Sequence, residues 1–274
     1  MGTRLLPVVA IVLGLSACSK ATDAPPVAPE QPRFALVSSD PAKHGERLSK
    51  VLGCSGCHEP DLTGQDWSDA VGTLWTSNLT QSAQRYSQDE LAAMITEGKR
   101  PDRPLMDMPS YLFSGLNPAD VDALATYLVT LKPKGAVHPD PSIGPQLLTM
   151  QAKGEWMDSA KRVSAMKGKG PPDLGDEVAY GRYIARATCA ECHGMDLTGG
   201  KEPMDRDGNP PPDLRIVASY DPEEFVTLMR TGKAAGDREV GLMSTVARGR
   251  YANFTDAEVG AVRAYLTKLA VHDP

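Results

Sequence analysis

Four cysteines and two histidines stand at spacings that few chemistries use. Cys54-Ser55-Gly56-Cys57-His58 is followed by Asp61-Leu62-Thr63-Gly64, and 135 positions later the pattern returns as Cys189-Ala190-Glu191-Cys192-His193, followed by Asp196-Leu197-Thr198-Gly199. Two thiols separated by two residues on one turn reach the two vinyl groups at one edge of a haem and add across them as thioethers. The next residue then brings an imidazole to the iron. On this reading Cys54, Cys57, Cys189 and Cys192 attach two haem c groups covalently, and His58 and His193 are their proximal iron ligands. A zinc ribbon wants its second Cys pair about 15–20 residues after the first, whereas these pairs are far apart and each has its own His. A thioredoxin-like dithiol needs a βαβ setting, and structural disulfides leave the repeated His without a reason.

The sixth iron ligand decides what such a site does. Met108 lies 54 residues after Cys54 and Met243 lies 54 residues after Cys189, each predicted in a loop between two helices. Met106 is close enough to compete with Met108, but it breaks the equal spacing and lacks the Pro109 that follows Met108. An iron held by His and Met has no open position for peroxide or O₂, and its soft thioether favours Fe(II) and raises the potential. That is the chemistry of single-electron transfer. Met94 and Met229 read as core fillers, and Met150, Met157 and Met166 fall in the stretch between the copies. His44, His138 and His272 read as solvated. Trp67 and Trp75 read either as pocket lining or as surface packing.

The elements that must position these residues are helices. Residues 118–131 and 256–269 carry apolar side chains at three- and four-residue spacings behind Asn117 and Thr255, both good N-caps, and Pro133 stops the first. Ser87 and Asp221 precede shorter amphipathic helices that end at Gly98 and Gly232, where a left-handed cap suits glycine. Gly45 and Gly181, with Leu48 and Ile184, mark an opening helix on which a closing helix bearing Tyr127 or Tyr265 packs closely. Strand signals are nearly absent, so the fold class is all-α, with a duplicated unit. The domain boundaries are a unit at 40–132, a linker at 133–175 with a helix near 146–166, and a second unit at 176–274.

Ahead of these, residues 1–17 read as an export signal: Arg4 is the basic element, 5–15 the apolar stretch, and Leu15-Ser16-Ala17 precedes Cys18. Leu-Ser-Ala-Cys resembles the bacterial lipobox, which makes Cys18 the lipidation site and the chain a periplasmic, membrane-anchored lipoprotein. Ser19 rather than Asp favours the outer membrane. Residues 18–39, rich in Pro and Ala, form a tether. A net charge of −6 argues against nucleic acid and suits docking to basic surfaces of redox partners.

These residues resemble class I bacterial cytochrome c domains. The resemblance rests on the opening helix with Gly, the Cys-x-x-Cys-His turn, Asp-Leu-Thr-Gly, Asn78-Leu79-Thr80, a Met-Pro loop and a closing Ala-x-Tyr-Leu helix. It implies two tandem cytochrome c domains joined by a linker. It is also similar to the cytochrome subunits that serve membrane-bound alcohol, sorbitol and gluconate dehydrogenases, which usually carry three such domains where this chain has two. In the second copy Met243 is followed by Ser244, and Pro212-Asp213-Leu214 stands near the place of Asn78-Leu79-Thr80. The expected function is a dihaem electron carrier between a redox donor and an acceptor, such as a dehydrogenase and a terminal oxidase. It is not expected to be an enzyme. The competing reading is a dihaem enzyme, such as a cytochrome c peroxidase or a thiosulfate-oxidising cytochrome, which would need an open iron position.

Overall fold

A computed structural model of the chain describes residues 1–2, 31–69, 72–204 and 209–272. The predicted signal, Cys18 and most of the predicted tether lie outside the described residues. The first repeat runs through α1 (Pro41–Val51), α2 (Cys54–His58), α3 (Leu79–Arg85), α4 (Gln88–Glu97), α5 (Ser110–Phe113) and α6 (Pro118–Thr130). Between the repeats stand α7 (Pro145–Ala152) and α8 (Ser159–Ala165). The second repeat follows with α9 (Ala179–Thr188), α10 (Ala190–His193), a 3-10 segment at Leu214–Ser219, α11 (Pro222–Thr231), α12 (Leu242–Gly249) and α13 (Asp256–Val271). Strand structure among the described residues is confined to two-residue pieces: β1 (Gly72–Thr73) pairs with β2 (Ser142–Ile143), and β3 (Lys233–Ala234) with β4 (Arg238–Glu239), both antiparallel.

The caps behave as their residue types dictate. Asp40, Asn78 and Asn117 accept from the first-turn amides of α1, α3 and α6, and Ser87–Glu90 and Thr255–Glu258 form reciprocal capping boxes. Gly98 and Gly232 close α4 and α11 in the left-handed conformation at φ 65° and 77°. In each repeat the opening helix crosses the closing one at a glycine. A Cβ at Gly45 would stand 1.9 Å from the Ala123 carbonyl oxygen, and one at Gly181 would stand 2.0 Å from that of Ala261. No larger residue permits that approach.

The single helix expected near 146–166 is two helices. α7 ends at Ala152 with Lys153 as its cap, Gly154 turns left-handed at φ 72°, and Asp158 starts α8 by accepting from the Lys161 amide. α8 lies back on the first repeat, where Ser159 bonds the carbonyls of Met108 and Leu105, and Leu147 of α7 is buried.

The repeats lock together through equivalent positions. Arg47 and Tyr183 each stand two residues after their repeat's glycine. Asp120 and Glu258 are each the third residue of their repeat's closing helix. Arg47 donates to both carboxylate oxygens of Glu258 at 2.8 and 2.9 Å, and the Tyr183 hydroxyl donates to Asp120 at 2.6 Å. The incoming chain joins both, with the Phe34 amide on Asp120 and the Ala35 amide on Glu258. This is the reciprocity of an isologous dimer interface, formed within one chain. Glu258 is fully buried, and removing one partner of a buried, hydrogen-bonded ion pair costs about 3–5 kcal/mol. His44, expected in solvent, is only 3% exposed, with its Nε2 3.5 Å from Asp120. The carboxylate of Asp120, on the closing helix of the same repeat, gives that imidazole a polar neighbour inside.

Candidate haem sites

His58 and His193 are oriented by the same device. His58 Nδ1 lies 2.7 Å from the Ser77 carbonyl oxygen, and His193 Nδ1 lies 2.8 Å from that of Pro212, each partner 19 residues further along the chain. A carbonyl only accepts, so Nδ1 carries the proton and Nε2 keeps the lone pair. Burial pushes both imidazoles below their ordinary pKa, which keeps them neutral and able to ligate. The supporting backbone is duplicated too. Leu79 N donates to the Leu62 carbonyl and Leu214 N to that of Leu197, while Asn78 and Asp213 each cap the turn that follows. Pro212-Asp213-Leu214, which looks like a departure in sequence, is thus the structural counterpart of Ser77-Asn78-Leu79.

Asp-Leu-Thr-Gly recurs because of a turn. Asp61 and Asp196 accept from the backbone and hydroxyl of Thr63 and Thr198. Leu62 and Leu197 sit in the left-handed region, and the amides of Gly64 and Gly199 return to the carbonyls of His58 and His193. The turn therefore fixes the C-terminal end of each Cys-x-x-Cys-His segment.

In the first repeat a cavity is lined by Cys54, His58 and Met108, with Leu52, Leu91, Met94, Leu105, Leu124 and Leu128 as apolar wall. Met94 is thus wall as well as core, and Met106 is not among the lining residues. In the second repeat two adjoining cavities share Cys189, His193, Val240, Met243 and Tyr251. Linings of this kind, mostly apolar with a few convergent polar atoms, suit a cofactor. The residues fit a covalently attached haem: in each repeat a cysteine of the pair, a neutral imidazole and a thioether line one apolar cavity. The thiols are protonated, since burial raises all four, Cys54 and Cys192 to about 11. A dithiol exchange site would hold its nucleophile lowered instead.

Met108 lies in a loop just before α5, as expected. Met243, also expected in a loop, is the second residue of α12. Ser244 makes that possible without a proline: it is fully buried, its hydroxyl donating to the Gly232 carbonyl and accepting from the Val240 amide. Ser110 does the corresponding work after Met108 by donating to the Met94 carbonyl at 2.7 Å.

Several contributors escaped the sequence reading. The linker straps the first site on both sides. Asn78 Nδ2 donates to the carbonyls of Lys134 and Ala136, and Ser159 donates from its hydroxyl to the Met108 carbonyl and from its amide to that of Leu105. Arg100 lines the first cavity, held by Asp102 and by the Tyr86 ring 5.1 Å away. Met204 lines the second cavity beside Met243. These contacts join residues far apart in the chain, and no local pattern announces them. Trp75 stacks on His138 at 4.2 Å, and His138 Nε2 lies 2.5 Å from the Thr63 carbonyl oxygen, so this histidine is partnered rather than simply solvated. Trp67 is exposed.

The sequence pattern of the family described as Cytochrome c matches residues 42–132 and 178–270, one stretch in each repeat. The chain is 23% identical over 269 residues to a fructose dehydrogenase cytochrome subunit of Gluconobacter japonicus, covering 87% of this chain and 54% of that protein. It is 25% identical over 267 residues to the cytochrome c subunits of alcohol dehydrogenase (quinone) from Gluconacetobacter polyoxogenes and Komagataeibacter europaeus, covering 82% of this chain and 55% of each. The chain spans about half the length of the curated relatives it matches.

Proposed function

Because the chain belongs to the cytochrome c family, with one cytochrome c-type domain in each repeat, we propose that it is a dihaem electron carrier working beside a dehydrogenase. The observation that carries this reading is the duplicated site. Twice, a neutral imidazole with its Nδ1 fixed by a carbonyl shares an apolar cavity with a cysteine of its attachment pair and with a methionine 54 residues after the first cysteine. Cys54 and Cys57 would hold one haem, with His58 and Met108 on its iron, and Cys189, Cys192, His193 and Met243 would hold the other. When bound, the haem supplies reversible one-electron chemistry. The protein's own part is to fix the imidazoles, present the thioethers and exclude water with leucine walls. Domain boundaries at 40–132 and 176–274, with 133–175 as the linker, fit the same reading.

The experiment is an anaerobic optical redox titration of the holoprotein. It should take up two electrons per chain reversibly and show no turnover of added peroxide. A one-electron total, or sustained peroxide consumption, would refute the proposal.

The dehydrogenase relatives suggest that electrons arrive from such an enzyme and leave to an acceptor such as a terminal oxidase. The charge of −6 favours docking against basic surfaces. We place the carrier in the periplasm, held to a membrane by acyl chains on Cys18, on the strength of the Leu-Ser-Ala-Cys motif. No helix among the described residues is long and apolar enough to cross a membrane. Cys18→Ala should move the protein from the membrane to the soluble fraction with its haem content intact. A wild type that already fractionates as soluble at every salt concentration would overturn the anchor.

A further inference from the structure

Both Cys-x-x-Cys-His turns touch one guanidinium. Arg250, the residue that caps α12, donates from Nη1 to Glu191 Oε2 at 2.8 Å, and Glu191 is the residue before Cys192 in the second motif. The opposite side of the same group lies on the first motif. A Cβ at Gly53, the residue before Cys54, would stand 1.9 Å from Arg250 Nε and 2.2 Å from Nη2, and one at Gly56 would stand 3.7 Å from Nη2. Gly53 adopts φ 77°, so glycine is required there both by conformation and by this contact. Gly56 occupies in the first motif the position that Glu191 occupies in the second. The bridging pair therefore has one carboxylate, contributed by one repeat only. Arg250 and Glu191 side chains are 15% and 28% exposed, so their charges are only partly screened by solvent.

The reach of the pair spans the boundary. Arg250 lines the second cavity together with Cys189, Cys192 and His193, while its Nε and Nη2 lie against Gly53, the neighbour of Cys54 in the first motif. Charges that act on both attachment turns act on whatever those turns carry.

We infer that the Arg250–Glu191 pair is a junction between the two redox sites, bringing their attachment edges within one side chain of each other and setting both reduction potentials together. This rests on the dihaem reading above. A fixed positive charge favours the reduced state of a neighbouring iron, and a fixed negative charge favours the oxidised state. An electron crossing between the sites leaves one iron oxidised and the other reduced. No bond changes, and the guanidinium remains charged throughout.

The test uses the full-length holoprotein and the variants Arg250→Gln, Arg250→Lys and Glu191→Gln. Haem is counted first, by alkaline pyridine absorbance per chain. A wild-type count other than two would sink the dihaem reading and leave this inference without its premise. With two haems present, redox titration should show both midpoints lower in Arg250→Gln and both higher in Glu191→Gln. Each should shift by on the order of tenfold in the oxidised-to-reduced ratio, about 59 mV for a one-electron couple. Arg250→Lys, which keeps the charge, should stay near wild type. If only one midpoint moves, the pair belongs to a single site and the inference fails. It fails equally if the Gln variants shift the potentials in the same direction, as a purely structural disturbance would. Should Arg250→Gln not fold, Glu191→Gln decides the matter alone, since both midpoints must rise.

Discussion

Met108→Ala should lower the potential of the first site by roughly two to three tenths of a volt, a substantial part of the ~0.8 V that axial ligands span, and should open that site to carbon monoxide. Loss of the thioether removes the soft ligand that favours Fe(II) and vacates an iron position. Optically, the weak near-infrared band of sulfur-ligated ferric haem should fall to half its intensity, the other half belonging to the second site. Met243→Ala should remove the complementary half. The second site tests the assignment more severely, because Met204 lines the same cavity and is 46% exposed. Retention of the full band in Met243→Ala would transfer the ligand role to Met204. Rapid carbon monoxide binding by the wild type would instead point to an open iron and to an enzyme.

Replacing Cys54 and Cys57 together by Ala should leave a protein with one haem, and the loss should be structural as well as spectroscopic. The wall of Leu52, Leu91, Leu105, Leu124 and Leu128 would then surround an unfilled space. Emptying a core of that kind costs several kcal/mol, on the order of 10 °C in melting temperature for a chain of this size. The second repeat should feel it, because Glu258 and Tyr183 depend on Arg47 and Asp120 of the first. Calorimetry should therefore show a lowered transition for the whole protein. An unchanged second transition would mean that the interlocking side chains do not couple the repeats.

Much of this architecture is local in origin and so could be read from sequence. Helix caps at Asn117, Ser87 and Thr255, the glycines at 98 and 232, and the close-approach glycines at 45 and 181 act over a few residues and leave a periodic trace. The Cys-x-x-Cys-His turns are legible because the chemistry of two thioethers and one imidazole dictates their spacing. What was not legible depends on long-range meeting. Asp213 matches Asn78 in its work as a cap but not in its letter, so the second copy looked divergent where it is equivalent. Ser244 holds the Met243 segment from inside a helix, which a search for the sequence Met-Pro misses. His44 reads as a surface histidine until Asp120 arrives beside it. The linker carries no repeat signal, yet Ser159 and the carbonyls of Lys134 and Ala136 brace the first site from opposite sides.

The intact mass of the denatured mature chain tests the central claim most directly, since thioether bonds survive acid and organic solvent while ligated haem does not. Two covalent haem additions per chain, falling to one when Cys54 and Cys57 are replaced and to one when Cys189 and Cys192 are replaced, is the result expected. A wild-type mass with one addition or none would contradict the assignment of both sites.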